Sequence, residues 1–222
     1  MAVLWVVRHG ETDWNRERRI QGHEDPPLNE VGRDQARDLV EELRPELERL
    51  DGAPLLYTSD LLRARMTAHA LSRGLGLRAR RARYLRERMF GRAQGRTWDE
   101  LARELPAEVE AYKSHRDRDA IPGSEPLARF RARALRGVRR IAARVEERAA
   151  PAAVVVTHGG LVHVLLEEAA LCEDRALGRE PVEGRRFMIG NAARYKLEVQ
   201  AATLRLVREE VVSGEALEAL EA

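Results

Sequence analysis

Two histidines, each followed by glycine, stand where runs of apolar β-forming residues end: Arg8-His9-Gly10 after residues 3–7, and Thr157-His158-Gly159-Gly160 after residues 152–156. In open α/β sheets ligands bind beyond the carboxyl ends of the strands, so both imidazoles are expected at one sheet edge. A third run, residues 54–58, ends at Ser59 and places Arg63 in the first turn of the following helix. Two imidazoles and two guanidiniums, Arg8 and Arg63, then converge. Such a group suits a phosphoryl dianion, because arginine forks and helix N-terminal amides both donate to its oxygens. Gly10 and Gly159 let the backbone approach closely. Neighbouring cations disfavour the imidazolium, so His9 is expected to stay neutral and able to attack phosphorus, giving a phosphohistidine with no metal required. The departing alkoxide needs a proton. Glu87, in an arginine-rich stretch able to reach over the site, is the candidate donor, with Glu11 and Glu125 as rivals.

The elements that must hold these residues are legible as periodicity. Asn29 is a plausible N-cap for a helix with apolar positions at Val31, Ala36, Leu39, Val40, Leu43 and Leu47. Ser59 is expected to cap a helix through Leu62, Met66 and Ala70 that Gly74 and Gly76 stop. Residues 77–96 read as irregular, and Thr97-Trp98-Asp99-Glu100 as a capping box opening a short helix bent near Pro106. A long helix is expected from about 126 to 149, with a stripe at Leu127, Phe130, Ala134, Val138, Ile141 and Val145. Another follows from 161 to 171, with Cys172 on its apolar side. Two alternating stretches, 193–199 and 203–207, read as strands, and residues 216–222 as a short tail helix. Strand–helix alternation implies a three-layer α/β sandwich with a mostly parallel central sheet flanked by helices. Residues 1–222 read as one domain, with 77–125 as a cap insertion over the site.

Composition narrows the classes. Of 222 residues 44% are hydrophobic, 34% are charged and the net charge is +2, which argues for a packed core and against disorder. No uncharged run is long enough to span a membrane, and the short apolar start is unlike a signal peptide. One cysteine excludes a disulfide framework and a thiolate metal cluster. The chain therefore reads as cytoplasmic. Arginines interleave with glutamates along the helices, as on solvated faces, so nucleic acid is not an expected partner. One stretch is lopsided: Arg78, Arg80, Arg81, Arg83, Arg86, Arg88, Arg92 and Arg96 surround Glu87. It reads either as an exposed loop or strand, or as a positive rim for an anionic substrate.

In these motifs the chain resembles the histidine phosphatase superfamily, in its phosphoglycerate mutase-like branch. Arg8-His9-Gly10-Glu11-Thr12 is similar to the family signature, followed by Asn15, Gln21-Gly22, Asp25, Pro27-Leu28, Gly32 and Gln35-Ala36. Ser59-Asp60 with Arg63-Ala64, Gly123-Ser124-Glu125 and Thr157-His158-Gly159 resemble the later motifs, in the same order. The resemblance implies a phosphoglycerate mutase-like fold. It implies His9 as nucleophile, Glu87 as general acid and then base, and Arg8, Arg63, His158 and Asn15 as holders of the phosphoryl oxygens, with Gly159 beside them. Gln21, Gly22 and Arg88 are expected to meet the substrate, and neither metal nor cofactor is implied.

Departures divide the branch. Glu87-Arg88, Phe90-Gly91 and Gln94-Gly95 look like the mutases, whereas phosphatases more often carry glutamate where Gln94 stands. Gln21-Gly22 and the Gly159-Gly160 pair look like the phosphatases, and the paired arginines of the mutase insert have only a poor match in Arg116 and Arg118. The expectation is a metal-independent phosphomonoesterase acting through phosphohistidine on a small phosphorylated metabolite. A phosphoglycerate mutase is the alternative, and a non-catalytic module binding phosphorylated ligands is an alternative of another class. Homo-oligomerisation is left open.

Overall fold

The computed structural model describes residues 1–207 apart from 183, 186 and 202; the tail helix expected at 216–222 lies outside the described residues. Its elements run β1 (Ala2–Arg8), α1 (Asp13–Arg16), α2 (Glu30–Glu48), β2 (Leu55–Thr58), α3 (Leu62–Leu75), β3 (Ala79–Arg81), α4 (Trp98–Glu104), α5 (Pro106–Lys113), α6 (Leu127–Glu147), β4 (Ala153–Thr157), α7 (Gly159–Ala176), β5 (Arg194–Gln200) and β6 (Thr203–Leu206). They build one six-stranded sheet in the order β3-β2-β4-β1-β5-β6. The first four run parallel, and β5 and β6 close one side antiparallel.

Strand alternation divides the core between two helical layers. Leu4 and Val6 of β1 and Val155 of β4 face α6 and α7, whereas Trp5, Val7, Val154 and Val156 face α2 and α3. The central strands are apolar on both faces because both are covered, as parallel strands usually are. This is the expected three-layer sandwich. No helix among the described residues is long and apolar enough to cross a membrane.

Local signals mostly act as expected. The Asn29 side chain accepts from Gly32 N, and Thr97 and Glu100 form a reciprocal capping box. Pro106 opens α5 at a position where its missing N–H costs nothing. Gly76 ends α3 in the left-handed region at φ +68°, while Gly74 stays inside the helix. Four expectations are corrected. Val31 is 51% exposed, and the buried position beside it is Gly32, where a Cβ would lie 2.0 Å from the Glu11 carbonyl oxygen. Leu61, not Ser59, precedes α3, and no side chain caps that helix. Cys172 is half-buried rather than core. Residues 77–96 contain β3, which pairs in parallel with β2, and two single 3₁₀ turns.

The segment expected to be a cap is thus heterogeneous. Its first residues belong to the central sheet. Ala93, Leu101, Val109 and Ile121 instead form a separate small apolar cluster under α4 and α5.

Candidate active site

Strand register brings the two histidines together. β1 and β4 are parallel neighbours with Arg8 opposite Thr157, and His9 N donates to the Thr157 carbonyl at 3.0 Å. His9 and His158 therefore leave the sheet side by side, ring centroids 5.2 Å apart and edge to face. β2 ends one step away, where Ser59 N donates to the Val156 carbonyl. The Ser59 hydroxyl bonds His158 Nε2 at 2.8 Å, so its function is to orient that imidazole.

The hydrogen bonds of His9 define its tautomer. Nδ1 lies 2.7 Å from the Gly10 carbonyl oxygen, which can only accept, so Nδ1 carries the proton. Nε2 accepts from Arg63 Nε, which can only donate, at 3.2 Å, so Nε2 keeps its lone pair. Burial, and then the charges of Arg63 and Arg8, hold the His9 pKa well below its ordinary value. His158 is lowered in the same way by burial, then by Arg63, His9 and Arg8. Both rings are neutral near pH 7.

Arg63 is 1% exposed and tied on three sides. Besides His9, it donates to the Glu24 and Gly22 carbonyl oxygens at 2.8 and 2.9 Å. Burial lowers its pKa to about 10, against the opposing pull of Glu87 and Asp25, so it stays a cation at neutral pH. Gly22 holds its carbonyl there at φ +53°, where a Cβ would also strike Gln94 Oε1. Arg8 is anchored by its Nη1 to the Ile189 carbonyl, while its buried Nε has no partner. Burial lowers the pKa of Arg8 too. Buried unpartnered polar atoms are uncommon in folded proteins, and here Arg8 Nε, His158 Nδ1 and Gln21 Oε1 gather around one locus. Arg8 Nε is a donor, and with the two guanidiniums and the α7 N-terminus it fits a tetrahedral dianion, whereas Gln21 Oε1 can only accept, from a protonated oxygen or water.

Glu87 stands across from this group. Its two carboxylate oxygens each accept a backbone N–H, from Arg88 at 2.8 Å and from Gly160 at 2.9 Å. Gly160 leaves room for this carboxylate, because a Cβ there would lie 2.4 Å from Glu87 Oε1 and displace it. The rivals are placed elsewhere. Glu11 is held by Asn29 and lies outside the cavity. Glu125 is forked to Arg133; burial pushes its carboxyl up, but the hydrogen bond and charge of Arg133 outweigh that and hold it below the usual range.

Arg8, His9, Asn15, Gln21, Gly22, Arg63, Glu87, Arg88 and Gly159 all line a single cavity of about 1190 Å³, and His158 lies buried behind His9. Asn15 accepts Thr12 N and Oγ1 with its amide oxygen, which leaves its NH₂ for the cavity. Arg88 touches the wall but is 2% exposed and braced by Glu125, Arg118 and Asp119. The arginine-rich stretch is not a rim around this cavity: of its eight arginines only Arg88 lines it. Arg80 and Arg81 sit on β3, Arg86 pairs with Asp60, and Arg92 and Arg96 pair with Glu104. Sequence reasoning did not single out His23. Its Nε2 donates to the Glu87 carbonyl at 2.8 Å and helps fix the Glu87 loop.

A family model for the histidine phosphatase superfamily (branch 1) matches residues 4–211. The chain belongs to this superfamily. Among related histidine phosphatase-like proteins, phosphoglycerate mutase-like protein 4 of Arabidopsis thaliana is 39% identical over 170 residues, covering 76% of this chain and 71% of that one. The metal-independent phosphoserine phosphatase of the same plant is 34% identical over 167 residues, 74% of this chain and 67% of that one. Among solved structures, mycobacterial glucosyl-3-phosphoglycerate phosphatase in complex with VO3 superposes with a TM-score of 0.74 at 30% identity, covering 93% of this chain and 98% of that one. The chain is thus a superfamily enzyme with phosphatases among its relatives, and mutase-like proteins beside them.

Proposed function

We propose that this histidine phosphatase is a cytoplasmic, metal-independent phosphomonoesterase that acts on small phosphorylated metabolites through a phosphohistidine at His9. The observation that carries the reading is the Arg63 Nε to His9 Nε2 hydrogen bond, which keeps an unprotonated imidazole nitrogen beside a cation on the cavity wall. An arriving phosphoryl oxygen takes over the Arg63 donor and frees the lone pair. Nε2 then forms the N–P bond as the ester P–O bond breaks, and Glu87 gives its proton to the leaving oxygen. Arg8, Arg63, the Asn15 NH₂ and the α7 N-terminus meet the charge on the phosphoryl oxygens. Water next attacks phosphorus, Glu87 takes its proton, and phosphate leaves neutral His9 behind. In this scheme the positive charge comes from arginine forks, so no step calls for a metal. The loop carrying Glu87 and the helices α4 and α5 act as the cap, with Gln21, Gly22 and Arg88 at its contact with substrate.

A mutase would share the phosphoenzyme but must keep water from it until the phosphoryl group returns to substrate. The cavity of about 1190 Å³ is open to solvent, which gives water a path to the phosphoryl group and supports hydrolysis. The test is phosphate release in EDTA from a phosphomonoester panel that includes 3-phosphoglycerate. Release is expected to persist in EDTA and to fall about 10³-fold or more in His9→Ala. Activity abolished by EDTA would remove the metal-free step, and full activity in His9→Ala would remove the nucleophile.

A further inference from the structure

Beyond His9 the cavity is more aromatic than the chain that builds it. Only 5% of residues are Phe, Trp or Tyr, yet all three phenylalanines, Phe90, Phe130 and Phe187, line this cavity together with Trp98 and Tyr112. Trp98 and Tyr112 stack with centroids 4.8 Å apart, joining α4 to α5 at the wall. The cavity also has length. Gly159, His163 and Glu167 line it at steps of four residues, along one face of α7. Eight residues at 1.5 Å each give about 12 Å of floor. A three-carbon ester chain reaches roughly 5 Å with bonds near 1.5 Å, less than half of that.

Most of the charges on these outer walls are paired with carboxylates. Arg19 is paired with Glu17 and Glu100, Arg88 with Asp119, and Arg131 with Glu167. Lys113 and Arg118 have no carboxylate partner among the described residues, and Arg118 Nε is buried without a hydrogen-bond partner. They lie over the faces of Trp98 and Tyr112, 5.9 and 4.8 Å from the ring centroids, where the rings offset part of their charge.

We propose that the preferred substrates are phosphate esters of bulky, ring-bearing alcohols, whose leaving group docks against the Trp98–Tyr112 wall. The inference rests on the phosphomonoesterase reading and sharpens its substrate class. A phosphate site followed by a wall of stacked aromatic rings orients a ligand by its phosphate and selects it by the ring it carries.

The experiment compares 2-(1-naphthyl)ethyl phosphate with ethyl phosphate and 3-phosphoglycerate. All three leave as alkoxides, so the comparison reads docking more than leaving-group acidity. The naphthylethyl ester is expected to lead in kcat/KM by about tenfold or more, a difference of about 1.4 kcal/mol. The double variant Trp98→Ala/Tyr112→Ala should lower that ester's kcat/KM about tenfold more than that of ethyl phosphate. Turnover led by ethyl phosphate or 3-phosphoglycerate overturns this inference and leaves the phosphatase reading standing. If no ester is turned over, the phosphatase reading falls, and calorimetric titration of the His9→Ala protein decides the docking. Tighter binding of the naphthylethyl ester than of ethyl phosphate supports it, and equal binding overturns it.

Discussion

A guanidinium holds five N–H donors in one plane, and Arg63 uses all three of its nitrogens at once, toward His9 Nε2 and the carbonyls of Glu24 and Gly22. A lysine ammonium is a point donor on a flexible stem and cannot reproduce that fork. Arg63→Lys is therefore expected to lower kcat/KM by roughly 10²- to 10³-fold, the scale of removing a positioned donor from developing charge. A thermal melt confirms that the variant folds; near-native kcat/KM would show that charge alone suffices. The chemistry of Arg63, His9 and His158 was legible because a charged or titratable residue just beyond a buried strand has few other reasons to be there. His23 was not legible. Its contribution is a bond to the Glu87 carbonyl, 64 residues away, and no local pattern encodes a partner at that separation.

Elements position Glu87 through backbone donors rather than side chains. The first turn of α7 presents Gly160 N to one carboxylate oxygen, and the next residue of the loop presents Arg88 N to the other. Gly160→Ala adds a Cβ at 2.4 Å from Glu87 Oε1. Since that atom ends a flexible side chain, the helix should keep its place and the carboxyl should swing away. The expected outcome is stability within about 1 kcal/mol of the parent. For an alkyl phosphate kcat/KM should fall about 10- to 100-fold, while p-nitrophenyl phosphate, whose leaving group needs no proton, should change little. Equal losses on both esters would remove Glu87 as proton donor. The elements around this contact differed in legibility for physical reasons. Asn29, Thr97 and Pro106 announce helix starts through their own hydrogen bonding or its lack. Residues 79–81, Ala-Arg-Arg, form a strand only because β2 offers an open edge; they carry neither alternation nor β-branching.

At the scale of the whole molecule, composition left the placement of charge open and burial gives a testable picture. Eight arginines close in sequence read as an exposed loop or strand or as a rim, and chain direction decides for the former by scattering them over β3, Asp60, Asp119 and Glu104; a sequence does not reveal where each side chain points. What the fold does concentrate is buried neutral imidazole. His9 is 3% exposed and His158 is fully buried, and both pKa values lie well below the ordinary 6.5 because of burial first and arginine charge second. The unfolded chain takes up these two protons near pH 6.5 while the folded chain does not. Stability is therefore intact above that pH and is lost as pH falls below it, until the folded values are reached. From pH 7.5 to 5.5 the loss reaches at most about 1.4 kcal/mol for each histidine, or about 3 kcal/mol for the pair, with a further share from His23, whose pKa burial also lowers. Asp60 does not contribute in this window. The Arg86 hydrogen bond holds it below its usual carboxylate range, so its share is lost only in stronger acid. Urea unfolding at the two pH values reads the difference directly, and His158→Gln should remove about half of it. A stability unchanged between them would mean that the folded imidazoles titrate like unfolded ones, which would overturn the lowered values. His9 would then lose its lone pair to a proton as pH falls through that ordinary range, and phosphatase activity should fall with it.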